Sequence, residues 1–460
     1  MSPVIAAVVY ALAILALFKL DSEPGSKTSP ALWLPVAWLL INGSRPLTAW
    51  FETASLILSA QNLEEGNPVD RNVYLVILIA GVIVLWGRRT RVAKILHANA
   101  AIPLFLFYCA ASIVWSDYPF VSFKRWIKLL GDFAMVLIVL TDRDRSAAIK
   151  RVLTRVAFIL VPVSVLLIKY YPQLGVYYDP WSGQRMVSGV AVDKNMLGMT
   201  CLVFGLGVFC QAFSLYLDKK NRARTRQLIA RGAILAMVLY LFRQADSVTS
   251  VSCFIMGSIV IAVTSMTRMA RKPVVVHLLV AALVGASFSV LFLHVDTGAL
   301  ETLGRNSTLT GRTEIWAGLL HFSGNPLIGT GFDSFWLGER LRRVWAAGGQ
   351  LYGINEAHNG YLETYLNLGW IGVTLLAVFI IAGYRNIVLS LRRDSDMARI
   401  RLAFFVVAVV YNFTEAAFRT TCSIWFVFLL ATTAVPSVVY ERVFSKVRSH
   451  QVLQPGIARS

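Results

Sequence analysis

The stretch NEAHNGYLETYLNLGWIGVTLL, Asn355–Leu376, changes character at its midpoint. Its first half carries Glu356, His358, Asn359 and Glu363, and its second half is an apolar run broken by Gly369 and Gly372, with Gly383 further on. Continued through residue 384, the run approaches the about 20 residues needed to cross about 30 Å of hydrocarbon. It therefore reads as a membrane helix, and a histidine and two carboxylates stand at its entrance.

The rest of the chain repeats the apolar half. Of 460 residues, 57% are hydrophobic and 15% charged, where a soluble domain is about 25% charged. The excess falls in blocks near 3–18, 31–44, 73–86, 100–115, 126–140, 152–168, 191–217, 228–242, 248–266, 274–294, 366–384, 402–415 and 423–440. Residues 47–60 are a further possible crossing. The expected fold is an all-α polytopic membrane protein of about 12 to 14 transmembrane helices. MSPVIAAVVYALAILALFKL at the N-terminus has no basic lead-in and no small-residue cleavage site, so it reads as a first membrane helix rather than a signal peptide.

A net charge of +19 raises the question of nucleic acid, but the basic residues crowd into short connectors between apolar blocks. Connector 87–99 holds Arg88, Arg89, Arg91 and Lys94; 141–151 holds Arg143, Arg145, Lys150 and Arg151; 267–273 holds Arg268, Arg271 and Lys272. Connector 218–231 holds Lys219, Lys220, Arg222, Arg224, Arg226 and Arg231, and 385–401 holds Arg385, Arg392, Arg393, Arg399 and Arg401. These five alternate along the chain, as cytoplasmic connectors do. The five cysteines, Cys109, Cys201, Cys210, Cys253 and Cys422, lie in apolar blocks without a CxxC pair. They read as packing residues.

Connectors 116–125, 169–190, 243–247, 295–365 and 416–422 then face outward. The fourth, about 70 residues long, far exceeds the usual connection, and long ordered loops are commonly functional. The chain divides into an N-terminal helix bundle (1–294), a large outer loop with short amphipathic helices (295–365), and C-terminal helices with a cytoplasmic tail (366–460). There is no internal repeat of the kind that builds transporters.

Polar residues at membrane depth or its edge are functional candidates. In DPWSGQRMVSGVAVDKNMLGM, residues 179–199, Arg185 stands among aromatics and glycines, and Asp193, Lys194 and Asn195 follow at the mouth of a long apolar helix. The stretch is either an interfacial turn with snorkelling side chains or an anion contact. In NSTLTGRTEIWAGLLHFSGNPLIGTGFDSFW, residues 306–336, Thr310 or Gly311 can cap a helix beginning Arg312, Thr313, Glu314, with Ile315, Trp316, Leu319 and Leu320 on one face. A cation in a first turn opposes the helix dipole, which makes sense if a phosphate binds there. GTG at 329–331 is a turn without the context of a nucleotide fingerprint. His358 is flanked by Glu356, Asn359 and Glu363 at a water–lipid boundary; a neutral imidazole of pKa about 6.5 there can take a proton at neutral pH. His294 and His321 read as structural. The turn of Arg243, Gln244, Asp246, Ser247, Thr249 and Ser250 either lines a site or caps two helices. The DxD strings Asp142–Asp144 and Asp394–Asp396 lie in basic connectors and read as solvated charge.

QRMVSGVAVDKNMLGM, GRTEIWAGL with NPLIGTGFDSF, and EAHNGYLETYLNLGWIGV, in this order, resemble the family of O-antigen ligases and related polysaccharide polymerases, closer to its exopolysaccharide polymerase branch. The resemblance implies a C-type glycosyltransferase-like fold using a polyprenyl-diphosphate-linked glycan at the periplasmic face of the bacterial inner membrane. It implies that Arg185 and Arg312 grip the donor diphosphate and that His358 activates the acceptor hydroxyl, in an inverting transfer. Glu363 or Asn359 would orient the imidazole; Asp193, Lys194, Asn195 and Glu314 fall among the expected substrate contacts. No cofactor or metal is expected, since the outer connectors show no acidic cluster. A flippase and a chain-length regulator are expected partners. The expected activity is polymerisation of lipid-linked repeat units; the alternatives are ligation of finished glycan to a lipid or protein, and transport of the same lipid-linked sugar. Transport predicts polar residues along several helices, whereas Asp132 is the main interruption here.

Overall fold

The computed structural model describes residues 1–22, 28–51, 66–178, 183–218, 223–265, 272–292, 309–391 and 395–436. His294, Lys219, Lys220, Arg222, Arg268, Arg271, Arg392, Arg393 and Asp394 lie outside them. In chain order the main helices are α1 (Pro3–Asp21), α2 (Trp33–Asn42), α3 (Pro68–Trp86), α4 (Arg89–Ala98), α5 (Ala101–Ala111), α6 (Pro119–Leu140), α7 (Arg145–Tyr170) and α8 (Lys194–Leu217). They continue as α9 (Arg224–Ala245), α10 (Val248–Ser265), α11 (Pro273–Phe292), α12 (Leu309–His321), α13 (Gly338–Ala346), α14 (Gly360–Leu391), α15 (Ser395–Tyr411) and α16 (Ser423–Thr432).

Each expected apolar block falls on a helix, and the fold is that of an all-α polytopic membrane protein. Among the described residues, eight helices are long and apolar enough to cross a membrane, or nine if the bent pair at α4 and α5 is one span. The remaining blocks are the short apolar helices α2 and α16, and α6 and α15. Helix α6 carries Lys124, Arg125, Lys128 and Asp132. Helices α7 and α8 form the centre, with 72% and 78% of their apolar windows buried; α1, α3 and α11, at 11%, 11% and 6%, present nearly all of theirs to the surroundings, as lipid-facing helices do.

The two ends of the bundle differ in chemistry. Basic connectors gather at one end. There Arg88 and Arg91 donate to the carbonyls of Ile138 and Thr141 at 3.0 and 2.9 Å, and Arg231 pairs with Asp21 at 2.8 Å. Arg401 donates to the carbonyls of Ala431 and Thr433 at 2.7 and 2.8 Å. The first DxD string belongs here, but Asp142 is buried, accepting from Ser29 N–H at 3.1 Å, while Asp144 caps α7 through Ala147 N–H at 3.0 Å. Asp142 is thus a buried structural partner, while Asp144 is exposed charge that also caps a helix.

The opposite end carries the long loop, which has an apolar core of its own built from Ile315, Leu319, Phe335, Trp336, Leu341, Val344 and Leu351. Ile315 and Leu319 are buried as expected, but Leu320 is exposed. Thr310 and Gly311 lie among the helical residues of α12, Leu309–His321.

The loop is fixed to α14 where that helix unwinds at Gly369, φ 63°. The freed backbone groups pair with residues 326–331: Trp370 N–H with Pro326 C=O at 2.9 Å, Ile371 N–H with Leu327 C=O at 3.1 Å, and Gly331 N–H with Asn367 C=O at 2.9 Å. A Cβ on Gly369 would meet the Leu327 backbone at 2.3 Å, and one on Gly329 the Asn367 backbone at 2.4 Å. The GTG segment is thus more than a turn: it is the dock that holds the loop against the helix.

Candidate active site

His358 immediately precedes the Asn359 cap of α14 and adopts φ 49°, a left-handed conformation uncommon outside glycine. Asn359 Oδ1 accepts from Tyr361 and Leu362 N–H, both at 3.0 Å, and its amide donates to Phe413 C=O at 3.2 Å. Glu363 accepts from Trp336 Nε1 at 2.6 Å, Ala357 N–H at 3.0 Å and Asn367 Nδ2 at 3.1 Å. Asn359 is therefore engaged in capping α14 and tying it to Phe413, and Glu363 in holding the loop.

The imidazole is oriented by two other carboxylates. His358 Nδ1 lies 3.0 Å from Glu356 Oε1 and 3.3 Å from Glu415 Oε2. Each carboxylate is held in turn by a guanidinium: Glu356 by Arg419 at 2.5 Å, and Glu415 by Arg312 at 2.9 Å. Arg312 also donates to the Thr414 carbonyl. The result is a row of alternating charge: Arg419, Glu356, His358, Glu415, Arg312. Burial works against charge on His358, but hydrogen bonds and charges from Glu356 and Glu415 outweigh it and raise its pKa to about 10. Burial also works against charge on Glu356, and there Arg419 and His358 win, lowering its pKa. The resting imidazole is an imidazolium, not the neutral group that the sequence suggests.

Glu415 and Arg419 come from connector 412–422, whose charges the sequence reading passed over. The usable signal was the criterion applied to Arg185, an outward charge between apolar helices. Asn412 folds this connector: its Oδ1 accepts from Ala417 and Phe418 N–H at 2.8 and 2.9 Å, and its carbonyl accepts from Gly360 N–H at 2.9 Å. A Cβ on Gly360 would come within 1.9 Å of Asn412 Oδ1, so the connector and the start of α14 fit only around glycine.

Of the other expected site residues, Asp193 lies within electrostatic reach of Glu356 and Arg419, and no hydrogen bond or ion pair among the described residues joins any of them to the row. Arg185 is exposed on a small hairpin, Val176–Tyr178 with Arg185–Val187, the one sheet among the described residues. No hydrogen bond or ion pair joins it to the row of charges. Asp193 caps α8 through Met196 N–H at 2.9 Å, and burial pushes its carboxyl pKa up. The Lys194 N–H contacts Tyr177 Oη at 3.4 Å; Asn195 is half-buried on the same turn, and Glu314 is exposed on α12. The buried Arg45 donates to the carbonyls of Leu174, Gly189 and Ala191 at 2.5, 2.7 and 3.2 Å, fixing the segment that leads to Asp193. The 243–250 turn caps helices, with Asp246 at φ 46° ending α9. Its Thr249 hydroxyl reaches Thr414 at 3.2 Å.

Beside the row of charges is a cavity of about 440 Å³, lined in part by Tyr74, Lys128, Trp336, Glu356, Phe418 and Arg419. Mixed charges and aromatic faces in a space of that size suit a polar ligand with apolar faces.

Glu356, His358 and Glu415 place potential ligand atoms within 4.8 Å of one another, an acidic pair that the separate connectors conceal. Both carboxylates are paired with guanidiniums.

The family model described as O-antigen ligase matches residues 202–377. That range contains Arg312 and His358 and excludes Arg185, Glu415 and Arg419. The chain is similar to the exopolysaccharide production protein ExoQ of Rhizobium meliloti strain 1021, with 25% identity over 288 residues, 61% of this chain. The match spans 63% of that relative's length.

Proposed function

We propose that the chain is a member of the family of O-antigen ligases and related polysaccharide polymerases, and that it joins polyprenyl-diphosphate-linked repeat units into an exopolysaccharide at the periplasmic face of the inner membrane. The observation that carries this reading is the row of charges with His358 at its centre, placed beside the cavity at the end opposite the basic connectors. The acceptor sugar occupies the cavity, and the donor diphosphate binds at Arg312, with Arg185 on its hairpin as a second ligand.

In the reaction an acceptor hydroxyl attacks the anomeric carbon and polyprenyl diphosphate leaves, so the configuration inverts. Arg312 stabilises the departing charge through a guanidinium already fixed in place. With Nδ1 held by the carboxylates, Nε2 of His358 is the atom left to take the hydroxyl proton. Two carboxylates make the neutral imidazole a strong base but a scarce one, about one molecule in 10³ at pH 7 for a pKa of about 10. A positioned base contributes about 10²–10⁴-fold.

The relative's printed name, an exopolysaccharide production protein, favours polymerisation. The description of the family model favours a second reading, ligation of finished glycan to a lipid or protein. Cells lacking the protein separate the two: membranes that accumulate single lipid-linked repeat units support the polymerase, and those that accumulate lipid-linked polymer support the ligase. A flippase and a chain-length regulator are the proposed partners.

A further inference from the structure

Asp132 is a wholly buried carboxylate near the middle of α6, and it belongs to neither the row of charges nor the cavity lining. Its Oδ1 accepts from Trp38 Nε1 at 2.7 Å and Asn42 Nδ2 at 3.3 Å, and its Oδ2 accepts from Thr421 N–H at 2.9 Å. The neighbouring Gly131 lets the Trp38 ring lie against α6, since a Cβ there would meet the ring at 2.2 Å. The first two bonds anchor the carboxylate to α2; the third grips the connector that bears Glu415 and Arg419.

Thr421 is where that grip is needed. It adopts φ 56°, and a β-branched residue in the left-handed region is strained, so that surrounding structure must hold it there. Two residues earlier, Arg419 reaches Glu356, which reaches His358. Asn412 fixes one end of the connector and Asp132 the other.

We propose that Asp132 is a positioning residue for glycosyl transfer: by holding Thr421 in its strained conformation it places Arg419 against Glu356 and so orients the His358 imidazole. This inference rests on the transferase reading for its catalytic consequence but not for its structural part. A carboxylate suits the task because both of its oxygens only accept. An asparagine must turn its amide donor toward either the Thr421 N–H or the Trp38 and Asn42 donors, and one side is lost. A misplacement of about 1 Å at a reacting group costs about 10²-fold in rate.

The experiment compares wild type, Asp132→Asn, Arg419→Ala, the double variant Asp132→Asn/Arg419→Ala, and Asp132→Asn/Thr421→Gly, as full chains in nanodiscs. Hydrogen–deuterium exchange of the 412–422 segment is read alongside turnover of a synthetic polyprenyl-diphosphate repeat unit. Glycine adopts φ 56° without strain, so it removes the need for the grip. Asp132→Asn is expected to speed exchange in this segment about tenfold and lower kcat about 10²-fold with little change in KM. The double variant with Arg419→Ala should be no slower than Arg419→Ala alone, and Thr421→Gly should restore both readouts toward wild type. Unchanged exchange in Asp132→Asn, or losses that multiply in the Arg419 double variant, would overturn the proposal. A wild type without turnover but with the expected exchange pattern overturns the transferase reading and leaves Asp132 holding the connector.

Discussion

His358 and Glu415 stand 57 positions apart in the chain and 3.3 Å apart in the fold. The contact joins the entrance of α14 to the connector between α15 and α16, and through Glu415 it brings Arg312 into the same group. It makes the imidazole part of a charged row and sets what the site can do at neutral pH.

Because the carboxylates hold the His358 proton to a pKa of about 10, transfer should accelerate with pH. The rate under kcat/KM conditions is expected to rise about tenfold per unit between pH 6 and 9, then level off. A flat profile across that range, falling only above pH 10, would instead assign the imidazolium to the leaving diphosphate.

Stability should move the other way. The folded pKa of His358 is raised above an unfolded value of about 6.5, so its contribution is complete below pH 6.5 and lost as pH rises toward 10. Unfolding of the purified protein should show this decline between pH 6.5 and 10, and His358→Gln should lose stability less steeply over the same interval. Parallel curves would mean that the imidazole is not charged in the fold.

Arg312→Ala removes a diphosphate ligand and also leaves Glu415 without its guanidinium. Donor affinity should fall at least tenfold, an effect of about 1.4 kcal/mol or more. Arg185→Ala should weaken donor binding without altering the pH profile, because no hydrogen bond or ion pair among the described residues joins Arg185 to the row of charges. Donor affinity undiminished from wild type in both variants, measured by titration of lipid-linked repeat unit, would remove the clamp.

Gly369→Ala tests the dock between loop and helix. A methyl group there meets the Leu327 backbone at 2.3 Å in a left-handed conformation, so a loss of about 2 kcal/mol or more is expected. The loss should appear as a lowered unfolding midpoint and faster proteolysis within 309–359. An unchanged midpoint would show that the loop is held elsewhere.

The helices were legible because membrane crossing writes a long apolar run into the sequence, and each such block carries a helix among the described residues. The long loop and His358 were legible for the same reason, as polar matter where apolar matter ends. Glu415 and Arg419 were not, because connector 412–422 is short and ordinary in composition; its importance comes from Asn412, Asp132 and Gly360, whose meeting no local pattern announces. The charge state of His358 was half legible, since Glu356 stands two positions away in the chain but Glu415, the second carboxylate on the imidazole, stands 57 away. Asn359 and Glu363 were singled out as flanking His358, yet in the fold Asn359 caps α14 and reaches the 412–422 connector, while Glu363 holds the loop.

The most direct test of the account offers purified protein in nanodiscs a synthetic polyprenyl-diphosphate repeat unit, with and without His358→Ala. The account predicts longer lipid-linked glycan and free polyprenyl diphosphate from wild type, and neither from the variant despite retained donor binding. No product from wild type, or full turnover by His358→Ala, would contradict it.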